Sequence, residues 1–193
     1  MNGTIRGMRL RSTALAISAC ALLLSGGASP ARADGGPERE HRVKAVFLFN
    51  FAQFLDWPDS AFAGPRDPLV VGILGEDPFE SFLDEVVKGE KVHDRPIIVK
   101  RFTRMEDIKA CHVLFISAAE APRLEGILAG IKPRNILTVG ESPEFNQRGG
   151  MVCFTTEGGK VRLKINLPAV QTAELSVSSK LLRLADTSGP RKE

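Results

Sequence analysis

The chain has 193 residues, of which 26 are Lys or Arg and 23 are Asp or Glu, with a formal net charge of +3 at pH 7. Its first 33 residues contain four Arg and no acidic residue, so the rest of the chain has a net charge of −1. That balance leaves no basic stripe for nucleic acid, and the two cysteines beyond residue 33 exclude a disulfide framework. The length suits one domain with one core.

Residues 1–33 are predicted to be a cleaved signal peptide. Arg6, Arg9 and Arg11 precede the apolar segment "STALAISACALLL", and the "ARA" that ends at Ala33 is a small-residue cleavage site. The apolar segment is shorter than the roughly 20 residues that a membrane span needs, so we expect export without direct membrane insertion. Residues 34–41, rich in Gly and charge, are predicted to form a flexible leader.

An aromatic-rich segment follows, with four of the eleven Phe and the single Trp between Phe47 and Trp57. A helix over this segment is predicted to direct one broad apolar face to the core, made of Val43, Val46, Phe47, Phe51, Phe54, Leu55 and Trp57. Phe49 falls on the opposite side, and we expect it to be exposed or held in a dimer. Asn50 is predicted to point into the apolar face and to find a hydrogen-bond partner there.

Apolar segments and helical patterns alternate through the middle of the chain. The apolar segments lie at 69–74, 97–102, 111–117 and 135–139, and the helical patterns at 77–89, 103–110, 121–131 and 142–147. Strands that alternate with helices favour parallel pairing, with the helices packed on the sheet. We therefore expect an α/β fold with a mostly parallel central sheet of five or six strands.

The pattern changes after Gly150. The segments "MVCFTT" and "VRLKINL" flank "EGGK", which predicts a C-terminal antiparallel hairpin around a Gly-Gly turn. This hairpin is expected to complete the sheet on one side. Pro168 can open a last segment that ends in "SSKLLRLA", a docking helix, and residues 187–193 are expected to be a disordered tail.

The residue types that catalyse reactions or bind metals do not converge in the sequence. His41, His93 and His112 share no spacing with an acid or a cysteine that a zinc site would use, so no metal and no cofactor are expected. Cys111 and Cys153 lie among apolar strand residues, which favours buried thiols. A disulfide between these two cysteines is the alternative. The serines lack a nucleophile elbow, and we do not expect an enzyme.

Four motifs occur in order along the chain. They are "NFAQFLDWP" at 50–58, "GGM" at 149–151, "VRLKINL" at 161–167 and "SSKLLRLA" at 178–185. With these motifs the sequence resembles the YfiR family of exported regulators, from about Lys44 to Ala185. The motif residues to which we assign a structural role are Asn50, Phe51, Trp57, Pro58, Gly149, Gly150 and Asn166.

The resemblance implies a single Rossmann-like three-layer domain at 42–186, with helices on both faces of the sheet, and a homodimer. It implies a periplasmic protein that binds the periplasmic part of an inner-membrane diguanylate cyclase and represses cyclic-di-GMP synthesis, which affects biofilm and exopolysaccharide. An outer-membrane lipoprotein that sequesters the regulator is a further implied partner. The best-known members carry paired cysteines, whereas only Cys111 and Cys153 match here, so the resemblance does not extend to redox control.

A surface for a protein partner is expected in the last segment of the chain. Its apolar residues have mixed spacing and exceed what one helix face can hide: Leu167, Val170, Leu175, Val177 and Leu182. Some of them are expected to form a patch for an aromatic anchor. For each residue taken singly, a role in closing the core is about as well supported.

The alternative function is a periplasmic small-ligand sensor or solute-binding domain. Such a domain would use the crevice at the carboxyl ends of the parallel strands. The polar residues expected there are Glu76, Ser117, Glu141 and Ser142.

Overall fold

The computed structural model of the chain describes residues 36–132 and 134–188, without the side chains of 186–188. The predicted signal peptide, the first two residues of the predicted leader and residues 189–193 of the predicted tail lie outside the described residues. The helices are α1 (Pro37–Phe54), α2 (Glu80–Val87), α3 (Leu124–Ile131), α4 (Leu167–Thr172) and α5 (Ser179–Arg183). The strands are β1 (Leu55–Asp56), β2 (Leu69–Leu74), β3 (Lys91–Val92), β4 (Arg95–Phe102), β5 (Val113–Ile116), β6 (Leu137–Gly140), β7 (Val152–Glu157), β8 (Lys160–Asn166), β9 (Ser176–Val177) and β10 (Asp186–Ser188).

One sheet contains most of the strands, in the order β10-β8-β7-β6-β5-β2-β4-β3. Its five central strands β4, β2, β5, β6 and β7 are parallel, and their order follows the doubly wound arrangement second, first, third, fourth, fifth. β8 is antiparallel to β7, with Val152 opposite Ile165, so the predicted hairpin is confirmed. The mixed α/β class with a mostly parallel sheet is also confirmed.

The expected count of five or six strands is wrong, because this sheet has eight strands within residues 36–132 and 134–188. Two edge strands are too short to show a period of two: β3 has two residues and runs antiparallel to β4, and β10 has three and runs parallel to β8. Thr187 and Ser188 belong to β10 and lie opposite Ile165 and Asn166 of β8. The expected disordered tail is therefore wrong at these two positions.

Helix α1 begins at Pro37, so the expected flexible leader is wrong for residues 37–41. Proline suits the first turn of a helix, and acidic residues there complement the helix dipole. Glu38 pairs with Arg42 at 2.8 Å and Glu40 with Lys44 at 2.6 Å, each across one helical turn. These local pairs extend the helix into a segment whose composition alone indicates a loop.

The sheet has a hydrophobic cluster on each face. Adjacent residues of a strand point to opposite faces, so Phe115 of β5 joins the cluster under α1 and α2, whereas Leu114 joins the cluster under α3. Leu48 of α1 packs in the first cluster and Ile127 of α3 packs in the second, so helices lie on both faces of the sheet. The three-layer arrangement with helices on both faces is thus present in the described residues.

The rotation of α1 differs from the predicted one. Its buried residues are Lys44, Ala45, Leu48, Phe51 and Ala52. Val43 and Val46, expected in the core, are 38% and 42% exposed. The face that α1 buries against the sheet is therefore rotated from the face that the apolar pattern predicts.

A buried lysine explains this rotation. The Lys44 ammonium group is 2.6 Å from Glu40 Oε1 and 2.8 Å from Glu141 Oε2, and it lies 6.0 Å from the centre of the Phe154 ring. Burial acts to lower the pKa of Lys44, but hydrogen bonds to Glu141 and Glu40 outweigh that effect and raise the pKa. The same lysine lowers the pKa of Glu40 through its hydrogen bond. Lys44 and Glu40 are therefore charged at neutral pH, and the contacts of Lys44 with both carboxylates orient α1.

Both cysteines in the described residues are free and buried, so the disulfide alternative is wrong for this structure. Cys153 pairs with Gly140, which pairs with Ile116 of β5, the strand that follows Cys111. The two cysteines are thus two strands apart across the sheet and five residues apart along the strands, which places their Cα atoms roughly 19 Å apart. A disulfide needs Cα atoms within about 7 Å.

His112 connects the loop after α1 to the sheet. Its Nδ1 accepts a hydrogen bond from the Val70 N–H at 3.0 Å, and its Nε2 donates to the Ala61 carbonyl at 3.2 Å. The Phe62 ring stacks on the imidazole with 4.4 Å between ring centres. Burial lowers the pKa of His112 to about 4, so the imidazole is neutral at physiological pH and both hydrogen bonds persist.

We predict that His112→Phe flattens the dependence of stability on pH. The folded protein keeps the imidazole neutral down to about pH 4, whereas the unfolded chain protonates it near pH 6.5. Its contribution to stability is therefore complete above about pH 6.5 and is lost as the pH falls towards 4. Urea unfolding at several pH values measures the slope, with His93→Asn, at an exposed histidine, as the control. An equal slope in wild type and His112→Phe would contradict the assignment.

Candidate protein-interaction surface

The residues expected to bind a partner divide into two groups. Val170 and Leu175 are 0% and 4% exposed and belong to the core under α1, so a direct contact with a partner is wrong for these two. Leu167, Val177 and Leu182 are half-buried. These three are named here the C-terminal apolar group, and they retain surface that a partner can contact.

Short backbone contacts position part of this group beside the end of α1. β9 pairs antiparallel with β1, so Val177 lies opposite Leu55. The Ser178 N–H donates to the Phe54 carbonyl at 2.9 Å, and the Ser178 hydroxyl accepts from the Leu181 N–H at the start of α5. A serine cap of this kind starts a helix at a defined residue. Val177 and α5 are therefore held next to the carboxyl end of α1.

A second apolar surface lies on α1 itself. It consists of Val43, Val46, Phe47, Asn50 and Phe54, which recur at helical spacing on the side away from Leu48, and we name it the outer face of α1. Val43 and Val46 are its most exposed members. Apolar side chains in a row on one helix face are typical of interaction sites.

Two expectations for α1 differ from the structure. Phe49 is half-buried and packs against the core, on the same side of the helix as Arg42, whose guanidinium lies 5.2 Å from the Phe82 ring of α2. Phe49 is therefore wrong as the exposed aromatic. Asn50 points away from the core, and within the described part of the chain its side chain forms no hydrogen bond. The expected internal partner for Asn50 is also wrong.

The other motif residues have structural roles. Phe51 is fully buried and stacks on Phe154 at 6.1 Å between ring centres. Trp57 is half-buried, and its ring is nearly perpendicular to the His112 imidazole, with 6.1 Å between ring centres. Pro58 directly precedes the 3-10 turn at Asp59–Ala61.

The glycine pair and Asn166 organise one end of the sheet. Gly149 has φ +100, a conformation that glycine tolerates, and a Cβ on Gly150 would collide with the buried Phe145 ring. Asn166 accepts from the Ala169 N–H at 3.3 Å, which caps α4, and donates to the Asn146 carbonyl at 3.2 Å. These contacts join the 142–150 turns to α4.

An apolar groove of about 350 Å³ opens where these motifs meet α3. Leu128 of α3, Met151 before β7 and Ala173 after α4 are among the residues that line it, with Lys132 and Arg148 at its polar positions. The groove combines parts of both faces of the sheet. No local sequence pattern predicts the groove, because its lining residues come from segments far apart in the chain.

Polar groups at the carboxyl ends of the strands form internal contacts. Glu141 pairs with the buried Lys44, and the Ser117 hydroxyl accepts from the Ala119 N–H at 3.3 Å. Within residues 36–132 and 134–188, no group of three or more His, Cys, Asp or Glu is arranged to hold a metal ion. Among the same residues, no helix is long and apolar enough to cross a membrane.

The outer face of α1 was not predictable as an exposed surface from apolar periodicity alone. One signal was available: Glu40 and Lys44 are spaced for an ion pair on a helix. A paired lysine can be buried, and burial of Lys44 turns Val43 and Val46 outward. No local sequence pattern indicates Glu141 as the second partner of Lys44, because the two residues are 97 positions apart.

No curated protein matches the chain. Among solved structures, the crystal structure of a conserved domain protein from Vibrio cholerae O1 biovar El Tor strain N16961 is similar, at 12% sequence identity and a TM-score of 0.46. The match covers 61% of this chain and 54% of that one, so this chain spans about half the length of that protein.

The fold and its surfaces define a mixed α/β domain that exposes apolar side chains on one helix. The model of the YfiR/HmsC-like family matches residues 41–186, which is well over half of the chain. The chain therefore belongs to the YfiR/HmsC-like family, which is regulatory and periplasmic and is not known as enzymatic. The resemblance carried by the four motifs is thus confirmed.

Proposed function

We propose that this protein is an exported periplasmic regulator that binds the periplasmic part of an inner-membrane diguanylate cyclase and represses it. Repression would lower cyclic-di-GMP and, with it, biofilm formation and exopolysaccharide production. An outer-membrane lipoprotein that sequesters the protein would release the cyclase. The observation that carries the proposal is membership of the YfiR/HmsC-like family over residues 41–186. The doubly wound order of the parallel strands supports a Rossmann-like description of the same domain.

The C-terminal apolar group supplies a surface for this function. Val177 and Leu182 flank the cap of α5 and are half-buried, so each packs partly against the protein and keeps part of its side chain accessible. The anchors of an interface are a few large side chains, mostly aromatic, that insert into apolar patches of this kind and become fully buried on binding. Regulation then consists of occupying the cyclase domain, and the chain itself needs no catalytic group.

We predict that Val177→Asp weakens co-purification with the periplasmic domain of the cyclase at least tenfold. A carboxylate buried in the contact loses its hydration without gaining a partner. Ser176→Asp is the matched control, because the adjacent strand residue points to the other side and is exposed. Leu167→Asp, with Thr172→Asp as its control on α4, provides an independent pair. Circular dichroism confirms the fold, and unchanged binding by folded Val177→Asp and Leu167→Asp would refute this surface.

A small-ligand sensor is the second candidate, and the apolar groove beside α3 favours it. Its volume of about 350 Å³ lies within the range of small-molecule pockets.

We predict that a ligand of this site raises the melting temperature in a thermal-shift screen of small amphipathic metabolites, because it binds only the native state. Ala173→Phe would fill the groove and remove the shift. A screen without any response favours the protein-binding function.

A further inference from the structure

The apolar groove beside α3 has an aliphatic wall that the "GGM" motif helps to form. Leu128, Met151 and Ala173 come from three elements that meet around it, and Gly149 also lines it. A Cβ on Gly149 would lie 3.9 Å from Leu128 Cδ1, between the turn and α3. Glycine at this position therefore leaves the space between the turn and the helix open.

Thr138 is the buried polar residue of the groove. It lies in β6 between Leu137 and Val139, which belong to the cluster under α1, so its side chain points to the opposite face of the sheet. Thr138 is 2% exposed, and its hydroxyl accepts from the Met151 N–H at 3.0 Å. A threonine hydroxyl also has a proton to donate, and none of the described residues accepts it. Thr138 therefore offers a hydrogen-bond donor to a ligand in the groove.

The charged residues of the groove leave one positive charge unpaired. Arg148 Nη1 donates to the Ala121 carbonyl at 2.8 Å, and Arg148 Nε is 3.3 Å from Glu125 Oε1, so Glu125 balances the charge of Arg148. Lys132 is exposed, and within the described part of the chain its ammonium group forms no ion pair. The groove thus has an excess of one positive charge, which Lys132 carries on a flexible side chain.

We propose that the groove binds an aliphatic monocarboxylate of the medium-chain fatty acid class. One carboxylate oxygen accepts the Thr138 hydroxyl proton and the other pairs with the Lys132 ammonium group. The alkyl chain packs against Leu128, Met151 and Ala173. The two donors replace part of the hydration that the carboxylate loses on binding. The inference rests on the small-ligand function of this groove, names its ligand class, and is independent of cyclase binding.

Other classes of small molecule fit the groove less well. A phosphate monoester has a charge of about −1.5 to −2 at neutral pH and three strong acceptor oxygens, which one hydroxyl and one ammonium group do not satisfy. Aromatic ligands pack favourably on aromatic side chains, and none of the described residues that line the groove is aromatic. A cationic ligand would be repelled by Lys132.

Isothermal titration calorimetry with ligands that share one alkyl chain tests the ligand class. Octanoate, octanamide and octylammonium differ in the charge of the head group. We expect octanoate to bind the wild type at least about tenfold more tightly than octanamide, because hydrogen bonds to a charged group are the stronger ones. Octylammonium is expected not to bind. Acetate has the same head group without the chain and is the control for binding to Lys132 alone.

Substitution of Thr138 tests the buried donor. Thr138→Val keeps the shape of the side chain without the hydroxyl and is expected to weaken octanoate binding at least about tenfold. Thr172→Val is the matched control, because Thr172 also lines the groove but its hydroxyl already donates to the Pro168 carbonyl at 2.9 Å. Thr138→Ser keeps the hydroxyl and is expected to retain binding. Circular dichroism confirms that each variant is folded.

Substitution of Lys132 tests the charge separately, at an exposed position where folding is not at risk. Lys132→Gln is expected to weaken octanoate binding by about threefold or more, since exposed charge pairs are weak, and to leave octanamide binding unchanged. Lys88→Gln, at an exposed position after α2, is the control with unchanged binding of both ligands.

Several outcomes would overturn the ligand class. They are the absence of octanoate binding, octanamide or octylammonium that binds as tightly as octanoate, or folded Thr138→Val and Lys132→Gln proteins with unchanged octanoate affinity. A ligand without a carboxylate that responds in the thermal-shift screen would then retain the small-ligand function and reject only the class. Absence of both octanoate binding and any response in the screen would reject the two together.

Discussion

Lys44 lies beneath α1 with its ammonium group between the carboxylates of Glu40 and Glu141. Glu40 belongs to the preceding turn of the same helix, whereas Glu141 directly follows β6, so one side chain ties the helix to the end of a central strand. Removal of one partner of a buried ion pair lowers the free energy of unfolding by about 3–5 kcal/mol. A rotation of the helix that separated Lys44 from its carboxylates is therefore unfavourable. Leu48 and Phe51 are thereby directed into the core and Val43 and Val46 towards solvent.

This orientation determines which surfaces are available for binding. The carboxyl end of α1 meets β9 and α5 through the pairing of Leu55 with Val177 and the bond from Ser178 to Phe54. The C-terminal apolar group and the outer face of α1 are consequently both positioned by the same helix. A regulator that works by occupying a receptor depends on such surfaces rather than on reactive groups. The buried, mutually distant thiols fit that interpretation.

The sequence predicts the sheet better than the surface of α1. Apolar segments predict β2, β4, β5 and β6 to within two residues, because buried parallel strands are continuous apolar runs. The motifs also identify the family. Asn166 caps α4 and Gly150 makes room for the Phe145 ring, and such local roles can be indicated by a short motif. The rotation of α1 depends on Glu141, 97 residues from Lys44, and a lysine in a helical pattern is ordinarily assigned to the solvent face. Burial of Val170 and Leu175 likewise follows from tertiary packing and not from spacing.

Thiol labelling of single-cysteine substitutions on α1 tests the orientation of the helix most directly. Burial raises the pKa of Cys111 to about 12 and also raises the pKa of Cys153, so both native thiols stay protonated and react slowly. In dilute folded protein, we predict that Val46→Cys reacts at nearly the rate of an unfolded peptide. Leu48→Cys is predicted to react at least a hundredfold more slowly. Equal rates, or faster labelling of Leu48→Cys, would contradict the orientation of α1, which positions both apolar surfaces.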